Sequence, residues 1–202
     1  MAHTSTPGVV RLAPPGTGLP WPELQIARLL FRFRRLRGSR ASFDADMERE
    51  RRLILGLVGN ASEEDNAARV LIPRLPGLED SSRQWSVWMT LDHLRIVNEG
   101  VVRIMGELLA GRSPAGAAST AAVKPAVDVD SSVIESFERS CDSVVKLVAS
   151  AANLRTAARY AHPWFGPLDA FGWHAMVSMH MSIHRRQIEA IRRTRRSCTS
   201  DR

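Results

Sequence analysis

Cysteine is scarce. The chain has two in 202 residues, Cys141 and Cys198, too few for a disulfide framework or a Cys-rich zinc site. Cys198 sits in an Arg/Ser-rich stretch, and Cys141 reads as a small core residue. Lysine is equally rare: Lys124 and Lys146 are the only two, so the net charge of +7 is carried almost wholly by arginine. Such a charge fits an anionic lipid or nucleic acid partner, and fits a compositional bias of the source genome equally well. No run of 18 apolar residues exists, so no membrane span is expected. The first 20 residues lack the basic start and apolar stretch of a signal peptide, and a cytoplasmic location is expected. GxSxG elbows, P-loops and dinucleotide-type glycine fingerprints are missing, and no position suggests a Cys/His pairing. No segment alternates with a period of two, and no 20–50-residue repeat occurs.

What is present is helical. Hydrophobic residues make up 44% of the chain, enough for a core. Residues 1–20 are rich in Pro, Gly, Thr and Ala and read as a disordered tail. Residues 21–40 form a basic amphipathic helix, with Ile26, Leu29, Leu30, Phe33 and Leu36 on one face. Residues 41–194 hold four main helices, expected over about 42–58, 83–110, 130–158 and 170–193. A Pro-rich loop (72–80), a flexible crossover (112–128) and a loop (159–169) separate them. Residues 195–202 form a basic tail. The fold class is all-α, a four-helix bundle with an extra N-terminal helix.

Six histidines are the chemical feature: His3, His93, His162, His174, His180 and His184. His180 and His184 stand four apart, which stacks two imidazoles on one side of a helix. Random placement would give roughly 0.2 such pairs in this chain. Met176, Met179, Ile183, Gln187, Ile188 and Ile191 surround the pair at helical offsets. His93 lies in its own apolar stripe with Met89, Ile96, Val97, Gly100 and Ile104. A buried His there needs a partner. Facing the other two across a core, it completes a three-nitrogen set suited to zinc, nickel or iron. Each alternative is plain: His93 as an ordinary core histidine, the pair as a polar stripe at the core edge. His174 points well off the shared face, and His162, before Pro163, suits a turn. Gln187 is placed to orient a ligand or touch substrate.

WSVWMTLDHLRIV (85–97), HPWFGPLDAFGWHAMVSMHMSIHRRQIEAI (162–191) and IPRLPGLED (72–80) together resemble the DinB-like (DinB/YfiT) superfamily of helical-bundle metalloproteins. The resemblance implies an up-down-down-up four-helix bundle. It also implies a divalent ion (Zn, Ni or Fe in different members) on His93, His180 and His184. Characterised branches include S-transferases that use small thiols and a maleylpyruvate isomerase. The long Pro/Gly-rich start, the basic helix and His174 depart from the family pattern and leave the substrate open.

The function expected is therefore that of a metal-dependent transferase that activates a small thiol or water against a small-molecule substrate. Gln187, Trp88 and Trp164 would shape its pocket. The alternative is a binding protein that applies residues 21–40 to an anionic membrane or nucleic acid surface, nucleic acid being the less favoured. A homodimer is a third expectation, without a residue to locate it.

Overall fold

A computed structural model describes residues 11–200, and side chains through residue 197. His3, the first ten residues of the expected tail, the side chain of Cys198 and residues 201–202 lie outside that set.

Six helices and one small hairpin make up the fold: α1 (Trp21–Arg37), α2 (Arg40–Gly59), α3 (Glu63–Ala67), α4 (Val87–Leu109), α5 (Val133–Ser150) and α6 (Ala170–Ser200). Strands β1 (Tyr160–His162) and β2 (Gly166–Leu168) pair antiparallel between α5 and α6. Helices α2, α4, α5 and α6 are the four-helix bundle: α4 packs on α5 and α6, and α2 on α6 and α5. Residues three and four apart build the core. Phe43, Met47, Ile54 and Val58 come from α2; Leu91, Leu94, Val101, Met105 and Leu108 from α4. Phe137, Cys141, Val144 and Val148 come from α5, and Met181, Ile188 and Ile191 from α6.

Caps set the helix starts. Ser39 and Ser42 form a reciprocal capping box, so α2 begins at Arg40, two residues before the expected start near residue 42. The Ser86 hydroxyl accepts from Met89 N–H at 3.1 Å and starts α4. The Asp169 carboxylate accepts from Gly172 N–H at 2.8 Å and starts α6, as its sequence position suggests. Gly111, at φ 77°, stops the chain after α4 in a conformation that side chains resist.

Helix α4 starts at Val87 rather than near residue 83, where the Ser86 cap fixes it, and three further features differ from the sequence-based expectation. Helix α5 stops at Ser150 rather than near Ala158. The residues beyond are good helix formers, but their backbone is used elsewhere. Leu154 C=O accepts from Phe171 N–H at 2.7 Å, and Thr156 Oγ1 accepts from Ala170 N–H at 3.2 Å. Tertiary hydrogen bonds here outweigh propensity. The segment 159–169 is a hairpin rather than a plain loop, with Gly166 at φ 69° opening its second strand. Helix α6 continues to Ser200 instead of ending near residue 193.

Two segments read as flexible make specific contacts. Among residues 11–20, Ala13 N–H donates to Asp80 at 2.7 Å and Leu19 is buried. In the crossover, Ala126 N–H donates to Asp92 at 3.0 Å and Thr120 donates to Glu79 at 2.7 Å.

Helix α1 lies against α6, its orientation reversed from that of an ordinary amphipathic helix. Arg34 donates to Ala175 C=O (3.2 Å), Ser178 (2.6 Å) and Asp46 (2.8 Å). Arg35 pairs with Asp169 at 3.1 Å, and Arg28 donates to Trp164 C=O at 2.7 Å. Phe31 is the one buried residue of α1, and its ring stacks on Phe165 at 4.2 Å. The leucine face points outward.

Candidate metal centre and cavity

His93 on α4 and His180 and His184 on α6 meet at one point. The Nε2 of His180 stands 3.1 Å from the Nε2 of His93 and 3.1 Å from that of His184. The ring centroids are 4.4–5.0 Å apart. Two imidazoles bound tetrahedrally to one ion at about 2.0–2.1 Å would hold their nitrogens about 3.3 Å apart. The observed spacing is close to that.

Hydrogen bonds behind the rings fix which nitrogen is bare. His93 Nδ1 is 2.6 Å from the carbonyl of Val123, an acceptor only, so Nδ1 carries the proton and Nε2 a lone pair. His184 Nδ1 is 2.6 Å from Gln187 Oε1. The Gln187 amide is oriented by its other end, whose Nε2 donates to Ser82 C=O at 2.7 Å. His184 Nδ1 is therefore also the protonated one. Two lone pairs thus point at His180 Nε2, which has at most one proton to give. A cation resolves that conflict. His180 Nδ1 is buried without a partner among the described residues.

The rings are neutral in ordinary conditions. Burial brings His93 down to about 4, despite the Val123 carbonyl. Burial, and then the neighbouring histidines, hold His180 and His184 well below the usual imidazole range. Neutral imidazole is the form that ligates metal.

Above the histidines lies a cavity of about 340 Å³. Ile96, Val97, Ile104, Ala118, Trp173 and Met176 give it apolar walls, and the hairpin closes one side with Tyr160, His162 and Trp164. Trp164 N–H donates to His162 Nδ1 at 3.1 Å, and burial brings His162 to about 4. Polar groups cluster at one edge. Lys124 Nζ reaches Glu79 (3.1 Å), Ser81 (2.9 Å) and Ser82 (3.1 Å). Burial alone would raise the Glu79 carboxyl, but hydrogen bonds from Thr120 and Lys124 hold it below its ordinary value.

Of the residues expected to shape the pocket, Trp164 lines the cavity and Gln187 supports His184 from behind. Trp88 does neither. It is 2% exposed within the hydrophobic core, because five residues along a helix carry it about 140° away from His93. Trp85 is the tryptophan at the centre. Its ring lies parallel to His184 at 6.2 Å and tilts against His93 at 5.1 Å, with Lys124 Nζ 5.1 Å from it. Trp85 falls inside the helix expected from residue 83, but α4 starts only at Val87, so the connection before α4, and not helical spacing, places its ring. Asp92 turns away from the cluster and binds Arg95 at 2.7 Å. His174 is buried elsewhere, with Nε2 3.0 Å from Asp44.

Fold and cluster together define a class: a four-helix bundle with three inward histidines on two of its helices, able to hold one metal ion. Residues 46–188 match the sequence profile of the DinB superfamily, and the chain belongs to that family. Among solved structures it is similar to TT2238, described as a four-helix bundle protein. The two are 20% identical with a TM-score of 0.56, over 75% of this chain and 98% of that one. That likeness bears on the fold alone. The search of curated proteins gave no significant match.

Proposed function

We propose that the protein is a metal-dependent enzyme that activates a small thiol, or water, for attack on an apolar electrophile held in the cavity. The observation that carries this is the convergence of three Nε2 atoms, two of them with lone pairs fixed by carbonyl-type acceptors at Nδ1. His93, His180 and His184 would hold a divalent zinc, nickel or iron ion. When bound, such an ion supplies positive charge that lowers the pKa of a coordinated thiol or water.

The chain's own groups do the rest. Val123 and Gln187 hold the ligand rings in the required tautomer. Ile96, Val97, Ile104 and Trp173 exclude water and favour an apolar substrate. Glu79 is already satisfied by Lys124 and Thr120, so the polar edge presents an almost neutral pair. With three protein ligands, coordination positions remain for a reactant.

Protein purified without a His tag should carry about one transition-metal ion per chain, and a His180→Ala/His184→Ala double variant should carry none. The cobalt-loaded protein should change its absorption spectrum on adding a small thiol. Tag-free protein that holds no ion and gains no thermal stability from zinc, nickel or iron would overturn the metal reading. A cobalt spectrum indifferent to thiol would leave water as the activated group.

A further inference from the structure

The surface of α1 stands apart from the metal centre and from the family match, which begins at residue 46. Trp21, Ile26, Leu29, Leu30, Phe33 and Leu36 are each between 47% and 73% exposed. At 100° per residue, Leu36, Leu29, Phe33 and Ile26 follow one another around a narrow outward arc, with Trp21 and Leu30 at its edges. Six side chains of about 200 Å² each, some three-fifths exposed, present about 700 Å², above the 300–600 Å² of a typical monomer's largest patch.

We propose that this stripe is a homodimer interface, in which α1 packs antiparallel on α1 of a second copy about a two-fold axis near Leu29 and Leu30. Two observations select this occupant. The apolar area is close to the about 800 Å² per partner of a standard interface. The composition is that of an interface core: aromatic, leucine and arginine, with no lysine, and the single acid of α1, Glu23, bonded to Gly77 N–H at 2.6 Å.

A lipid surface fits less well. A helix lying on anionic lipid needs its cations free for headgroups. Here Arg28, Arg34 and Arg35 are engaged with the hairpin and α6, which leaves Arg32 and Arg37 toward solvent.

Sedimentation velocity of the full chain over about 0.1–100 µM, the range of ordinary association constants, should show twice the chain mass at the upper end. The Leu29→Gln/Phe33→Gln variant changes exposed side chains only. It should keep the circular dichroism of the wild type and dimerise at least a hundredfold more weakly. Emission from the wild type should shift to the red on dilution as Trp21 meets water, and a Trp21→Phe variant should lose that shift. A wild type monomeric at the highest concentration would overturn the proposal. So would a dimer that the double substitution leaves intact. A monomer that sediments with phosphatidylserine vesicles, and not with phosphatidylcholine ones, would assign the stripe to membrane instead.

Discussion

Replacing Gln187 with leucine removes two hydrogen bonds from behind the three-histidine cluster while nearly preserving shape. In the native protein Gln187 accepts from His184 Nδ1–H at 2.6 Å and donates to Ser82 C=O at 2.7 Å. Its side chain is fully buried, so water has no route to replace either bond. Each buried group left unpaired costs about 1–3 kcal/mol, so the ion-free protein should lose about 2–6 kcal/mol of folding stability. The ion should suffer separately. Loss of the orienting partner of a histidine ligand typically weakens metal affinity about 10–100-fold. Gln187→Glu separates the two effects. Its carboxylate still accepts from His184, but when ionised it has no donor for Ser82. That variant should keep zinc affinity within about fivefold while losing about 1–3 kcal/mol. Urea unfolding in chelator reads the stability, and competition against a chromophoric chelator reads the affinity. A leucine variant that binds zinc within about twofold of the wild type would refute the reasoning. Equal affinity losses in both variants would do the same.

Acidification should destabilise the ion-free protein. The unfolded chain protonates His93 near pH 6.5, whereas the folded ring resists until about 4, so the unfolded state binds more protons between those values. The stabilisation is present at pH 7 and lost on acidification, about 2 kcal/mol from this ring by pH 5. Urea midpoints in chelator at the two pH values should show the drop, and an unchanged or higher midpoint at pH 5 would contradict it. Lys124→Met leaves Glu79, 6% exposed, without its cation and should cost about 3 kcal/mol. Adding Glu79→Gln should restore part of that loss in thermal melts, and a double variant no more stable than the single one would refute the pairing.

Much of the three-histidine cluster was legible because helical spacing is a strong constraint. Two histidines four apart share a face wherever the helix lies, and the apolar neighbours of His93 turn its ring inward. Trp88 was misplaced by proximity in sequence to His93, which is not proximity around a helix. Trp85 was missed because the helix expected from residue 83 starts only at Val87, so spacing along that helix did not describe it. Helix α1 shows a deeper limit. An apolar face ordinarily marks the side of a helix that packs, but here the arginines found acceptors on α6, α2 and the hairpin: Ala175 C=O, Asp46 and Trp164 C=O. Periodicity reports that a helix has two faces, and tertiary partners decide which one turns inward. The hairpin escaped notice because strands of three residues are too short for alternation to register.

The contact between His93 and Val123 runs to a main-chain oxygen. Every residue type supplies that oxygen, so the imidazole is blind to which amino acid occupies position 123. What the ring does sense is the count of residues between Gly111 and that carbonyl. Substitutions at position 123 should therefore leave the ring's partner in place, whereas a single insertion or deletion in the connection would move the oxygen off the ring and leave His93 free to change tautomer. In this bundle the stretch serves the three histidines by its length, and Glu79 by the side chains of Thr120 and Lys124.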